Sequence, residues 1–167
     1  LLRASEKFIV RREDWKTVIA GYPWFLDWGR DTLIAARGLI RAGKIGEVEK
    51  ILLLFAKFAD KGTLPNMIHG KDASNRDTSD APLWLFTVLS DFCEFRKSDE
   101  ILAQSPDNKS SLLDILAGIA ENYISGTPNG IKVDPESGLV FSPPHFTWMD
   151  TNFPACTPRE GYPVEIQ

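Results

Sequence analysis

The sequence predicts an all-α fold, an array of antiparallel helix pairs with short β-hairpins at the start and near the C-terminus. Two observations carry this. Apolar residues recur at three- and four-residue spacing in four stretches, 32–42, 45–59, 79–95 and 112–124, the period of a helix with one buried face. β-branched runs separated by turn residues occur only around 8–20 and 131–141, each long enough for one hairpin.

In order, Phe8-Ile9-Val10 and Thr17-Val18-Ile19-Ala20 flank the polar Arg12-Glu13-Asp14 and read as the first hairpin. It delivers the chain to residues 21–40, GYPWFLDWGRDTLIAARGLI, where an aromatic run meets a Gly-Arg-Asp-Thr turn and then a helix. That helix carries Leu33, Ile34, Leu39 and Ile40 and stops at Gly43, placed for a C′ residue. The second helix has Ile45, Val48, Leu52, Phe55 and Ala59 on one stripe, widened by Ile51, Leu54 and Phe58, and ends before Gly62 and Pro65. A polar loop, 62–78, follows, and loops of that length in a compact domain are usually functional or flexible. The third helix turns Leu83, Trp84, Val88 and Phe92 inward and tolerates Pro82 in its first turn. Residues 98–108 hold at most one helical turn before Pro106. Ser110 or Ser111 caps a fourth helix with Leu113, Leu116, Ile119, Ala120 and Tyr123 apolar, closed by Gly126 and Pro128. Residues 131–133 and 139–141 form the second hairpin across Asp134-Pro135-Glu136-Ser137-Gly138. Residues 142–163, rich in Pro and aromatics, make a loop that presents groups.

Composition narrows the function. With 43% hydrophobic and 25% charged residues, the chain is of ordinary globular type, without a membrane-length apolar run. A net charge of -4 and no basic block argue against a nucleic-acid partner. Cys93 and Cys156 lie far apart without metal spacing, and no signal peptide precedes them, so a reducing, cytoplasmic setting is expected. The absence of an initiator Met and the stop at Val164-Glu165-Ile166-Gln167 lead us to expect an excerpt of a longer protein.

Residues 21–40 admit two readings. Tyr22, Trp24, Phe25 and Trp28 supply flat faces, and Asp27, Arg30 and Asp31 supply acceptors and a forked donor, which suits a sugar with C–H faces and hydroxyls. Alternatively Asp31 is an N-cap and the aromatics are core. Two further loop clusters, Asn75 to Trp84 and Phe146-Thr147-Trp148-Met149-Asp150, also put an acid near a Trp. Asp77 and Asp80 have a helix-capping alternative. Asp150 has none, because no helix follows it. An acid beside an indole is partly desolvated and can hold a proton at neutral pH, the property a general acid needs. Glycoside hydrolysis uses such a group together with a second, ionised carboxylate. His69 and His145 are isolated, and the sequence has no phosphate loop, dinucleotide fingerprint or nucleophile elbow. Cys93 reads as packing.

Taken in order, Tyr22-Pro23-Trp24-Phe25 with Asp27-Trp28-Gly29-Arg30-Asp31-Thr32, Asp80-Ala81-Pro82-Leu83-Trp84, Trp148-Met149-Asp150, and Thr157-Pro158-Arg159-Glu160-Gly161-Tyr162-Pro163-Val164-Glu165-Ile166 resemble one family. It is the C-terminal glucosidase domain of glycogen debranching enzymes, the amylo-α-1,6-glucosidases. Four ordered motifs over most of the chain make the resemblance specific.

The resemblance implies an (α/α)6 barrel, related to glucoamylases and acting with inversion. It implies that Arg30 and Asp31 hold hydroxyls of the terminal glucose and that Trp28 stacks on its ring. Asp80, Trp84 and Trp148 would shape the site, Arg159 and Glu165 would line it, and Asp150 would be the general acid. The family's general base, a Glu nearer the end of the domain, matches no position here. Twelve helices of ~11–12 residues with ~4–6-residue connections need roughly 190–220 residues. Residues 1–167 are therefore expected to be one incomplete domain, about the first half of the barrel. Its partners are expected to be glycogen or a branched α-glucan and the remainder of the barrel, with no nucleic acid, membrane, metal or cofactor involved. Alone, such a fragment is expected to self-associate or to be poorly stable. The rival readings are a glucoamylase- or trehalase-type inverting α-glucosidase and a non-catalytic carbohydrate-binding half-barrel.

Overall fold

The computed structural model describes residues 2–21, 24–151, 153, 156 and 158–167. Tyr22, Pro23 and Thr157, three residues of the expected motifs, lie outside the described residues.

Among the described residues there are five α-helices and three two-stranded antiparallel ribbons. A single turn, α1 (Leu2–Ser5), not anticipated from the sequence, leads into β1 (Ile9–Arg12) and β2 (Trp15–Val18). These pair with Ile9 opposite Val18, and Glu13 adopts φ 52° in the two-residue turn that matches strand twist. The second hairpin is also where the sequence predicts it, as β5 (Lys132–Val133) with β6 (Val140–Phe141).

The remaining ribbon was not foreseen. β3 (Asp27–Trp28) pairs with β4 (Met67–Ile68), which lies inside the supposedly free loop 62–78. The loop is further tied by bridges between Asp60 and Thr63 and between His69 and Asp72. Arg76 secures its far end, donating to the carbonyls of Thr63 (3.0 Å) and Phe58 (2.8 Å) and to the Thr63 hydroxyl (2.9 Å). Burial lowers the pKa of this guanidinium, against the opposing field of Asp60.

Because β3 runs straight into α2 (Gly29–Arg41), the helix starts earlier than its hydrophobic period indicates. The Gly29 N–H donates to Asn66 O (2.8 Å), so this end of the helix is satisfied by the neighbouring ribbon. Trp28 occupies the N-cap position, and Asp31 falls in the first turn, which corrects the capping alternative for Asp31. A Cβ on Gly29 would meet Pro65 O at 2.5 Å, so only glycine permits this approach. At the other end Gly43 (φ 75°) donates to Ile40 O and Lys44 to Leu39 O, the paired bonds of a Schellman stop.

α3 (Ile45–Lys57) is buried nearly all round, from Ile51 through Ala56, and is the hub of the core. Each buried Leu or Phe there contributes roughly 1.5–3 kcal/mol relative to exposure. α4 (Ala81–Arg96) buries Ala81, Pro82, Leu85, Val88, Leu89 and Phe92. Leu83 and Trp84, expected inward, pack against the core and are partly buried. A 3-10 turn (Glu100–Ala103) stands where one helical turn was expected. α5 (Leu112–Ser125) starts in a capping box between Ser111 and Asp114, and it leaves Leu113 57% and Ile124 65% exposed. Cys93 and Cys156 are both free thiols.

The packing of α2 and α4 fixes the direction of these helices. α2 packs chiefly on α4, and two ion pairs join them, Arg30 with Asp80 and Arg37 with Asp91. Residue number rises in the same direction along both helices from one pair to the other, so α2 and α4 run parallel. Their N-termini, and the loops that lead into them, therefore share one end of the molecule. No helix among the described residues is long and apolar enough to cross a membrane.

Candidate active site

At that shared end, the ribbon β3–β4 delivers Arg30 and loop 62–78 delivers Asp80. Asp80 sits at the N-cap position of α4 but makes no side-chain capping bond. Its carboxylate, with the side chain 8% exposed, instead accepts from Arg30 Nε on Oδ2 and from the Thr78 hydroxyl on Oδ1 (2.8 Å). Arg30 Nη2 is buried and has no partner among the described residues. An uncompensated guanidinium N–H inside a protein is costly. It is also a donor ready for an oxygen acceptor.

The loop after β6 is docked on the same end. Ser79 N donates to Phe146 O (2.8 Å), and the Ser79 and Ser142 hydroxyls lie 2.8 Å apart. From α5, the Tyr123 hydroxyl donates to Ser79 O (2.8 Å). Burial, reinforced by the charge of Asp80, pushes the pKa of that hydroxyl far up, so it remains a neutral donor. Two residues beyond Phe146 the chain reaches Trp148, 61% exposed, and then Asp150, half-buried.

The C-terminal segment returns beside this loop through paired bonds between Ser142 and Gly161 (2.7 and 3.0 Å) and from His145 N to Pro158 O (2.7 Å). Arg159, in the left-handed region at φ 47°, grips Glu165 with Nε (2.9 Å) and Nη2. The Arg159 fork, helped by the Thr147 hydroxyl, holds the Glu165 carboxyl below its ordinary value.

Thus one connected set runs from Arg30 and Asp80 through Ser79 and Phe146 to Thr147, Glu165 and Arg159. Trp28 and Trp84 are half-buried at the starts of α2 and α4. Among the described residues, no hydrogen bond or ion pair ties Asp150 or Trp148 to the Arg30–Asp80 pair. Asp31 is exposed and, with Arg30, edges a groove of about 590 Å³ between the first hairpin and α2. Apart from these two residues and Ser5, that groove is lined among the described residues by apolar groups such as Ile9, Val18, Ile34 and Leu39, so its polar groups are few.

The first aromatic stretch is divided. Trp24 and Phe25 are 84% and 56% exposed, which removes them from the core. Asp27, read as a sugar acceptor, is 4% exposed and filled by the fork of Arg12 (2.7 and 2.8 Å), whose third nitrogen holds Gly70 O. Sequence reading missed this clamp because its partners lie on different ribbons. The Thr78-x-Asp80 spacing was a visible local signal for the hydroxyl bond.

The sequence pattern of the amylo-alpha-1,6-glucosidase family matches residues 3–167. The chain belongs to the amylo-alpha-1,6-glucosidase family. As a member, it is a glycogen-debranching-type glycoside hydrolase domain, and glucans are the substrate class of that family. Glycoside hydrolysis in general draws on carboxylates in two protonation roles. Asp27, Asp80, Asp91 and Glu165 each face a guanidinium, whereas Asp150 faces none among the described residues.

Proposed function

We propose that the intact enzyme hydrolyses α-1,6-linked glucose at glycogen branch points with inversion. The observation that carries this reading is the Arg30–Asp80 pair with its spare buried Nη2 donor, in a chain of the amylo-alpha-1,6-glucosidase family. Asp80 orients the guanidinium, leaving Nη2 and the nearby Asp31 carboxylate for hydroxyls of the terminal glucose. Trp28, Trp84 and Trp148 offer faces for its ring, and the Arg159–Glu165 pair closes the side of the site.

In the proposed step, Asp150 gives its proton to the glycosidic O6 as the C1–O6 bond breaks. Water adds its oxygen to C1 from the opposite face and yields a proton to a second carboxylate, a Glu in the family, which matches none of these residues. Inverting pairs stand ~6.5–9.5 Å apart to admit that water. The parallel α2 and α4, with α3 returning between them, support reading the chain as part of an (α/α)6 barrel.

The test is glucose release from branched limit dextrin, linear maltooligosaccharides and trehalose, with the product anomer followed by NMR. The branched substrate should be preferred and β-glucose should appear first. Preference for linear maltooligosaccharides or trehalose would favour the glucoamylase or trehalase alternative. Asp150→Asn should lower kcat by ~10²–10⁴-fold. A loss of only a few-fold removes Asp150 from the acid's role.

A further inference from the structure

Two turns below Arg30 on the same side of α2, Arg37 makes two contacts with α4. Its guanidinium carbon lies 5.8 Å from the centroid of the Trp84 ring, and its Nε donates to Asp91 Oδ2 at 2.5 Å. The parallel course of α2 and α4 makes this possible, since Trp84 and Asp91 stand two turns apart on α4 and bracket Arg37. Trp84 is only half-buried, so the core does not by itself fix its ring.

We propose that Arg37 is a positioning residue that holds the Trp84 indole in place, with Asp91 anchoring the guanidinium over the ring. The cation covers one face of the indole and leaves the rest of the ring for substrate. A planar guanidinium suits both tasks at once, stacking on the ring while its edge meets the carboxylate. With the Arg37 side chain 45% exposed, the ion pair itself adds little to stability. Its consequence is orientation. The effect on substrate rests on the glucosidase reading above, in which Trp84 meets the terminal glucose.

The experiment compares Arg37→Met, Arg37→Lys and Asp91→Asn with wild type in the intact enzyme labelled with 5-fluorotryptophan. The Trp84 resonance is assigned from its loss in Trp84→Phe. In Arg37→Met that resonance should shift and broaden, and KM for a branched glucan should rise about two- to five-fold, the change that a cation–π contact at an exposed site converts to. The kcat and the melting temperature should stay near wild type. Arg37→Lys should restore part of the KM, and Asp91→Asn should reproduce the defect in milder form. An unmoved Trp84 resonance in Arg37→Met, or an unchanged KM, overturns the proposal. Failure of wild type to release glucose from any glucan instead sinks the glucosidase reading, and the fluorine resonance still decides whether Arg37 holds the ring.

Discussion

Arg30 and Asp80 are fifty residues apart in sequence and share a hydrogen-bonded ion pair at the common end of two parallel helices. The pair is shielded from water on both sides, with 12% and 8% of the respective side chains exposed. Asp80 takes the Nε of Arg30, and Nη2 is buried without a partner among the described residues.

Removing the Asp80 carboxylate leaves Arg30 charged, buried and alone. Asp80→Ala should therefore cost about 3–5 kcal/mol, and Asp80→Asn, which retains an acceptor for Thr78, about 1–3 kcal/mol. Urea unfolding of both variants measures this. Losses below half a kcal/mol for both would show that the pair contributes nothing to the fold.

Two glycines of α2 should respond with opposite signs. Gly29→Ala drives a Cβ into Pro65 O and should destabilise by about 1–3 kcal/mol while displacing the ribbon that carries Trp28. Gly38→Ala meets nothing within 4 Å on the same helix and should stabilise by about 0.4–1 kcal/mol. Thermal melts of the two single variants provide the comparison.

The Arg159–Glu165 pair predicts an acid-sensitive contribution. The folded state holds the Glu165 carboxyl below its ordinary value of 4.5, chiefly through the Arg159 hydrogen bond. A depressed carboxylate adds stability above its unfolded pKa and loses it as pH falls through the folded value. The melting temperature of wild type should thus exceed that of Glu165→Gln at pH 6–7, and the gap should close as pH drops below ~4.5. A gap that is constant down to pH 3 would contradict this.

Ser111 caps α5 by accepting from Asp114 N (3.1 Å), while Asp114 accepts from Ser111 N (3.0 Å). Ser111→Ala should cost about 0.5–2 kcal/mol. Glucose release at a temperature well below the melt should be unaltered, because every partner of this cap lies in the first turn of α5. Parallel measurements of chemical denaturation and activity separate the two effects.

Much of the helix content was legible because burial imposes a period. The stripe from Val48 to Phe55 and the Ser111 cap both write themselves into neighbouring positions. The same local logic placed both hairpins, since their turn residues adjoin their strands. It failed for β3 and β4, whose pairing joins residues about forty apart and leaves no periodic trace in either two-residue strand. The start of α2 was misjudged for that reason, because Asn66, and not a capping side chain, satisfies the Gly29 amide.

The candidate site divides along the same line. Sequence alone determined which residue types are available, an aromatic run beside Arg30 and Asp31, the Asp80-to-Trp84 motif and the Trp148-Met149-Asp150 motif, and their order was enough to indicate the family that residues 3–167 match. Tertiary structure decided which of those groups are spoken for. Asp27 belongs to Arg12, Asp80 to Arg30 and Thr78, and Trp84 lies under Arg37. The physical reason is that charge pairing depends on distance through space, and the parallel packing of α2 on α4 sets those distances where no spacing along the chain records them.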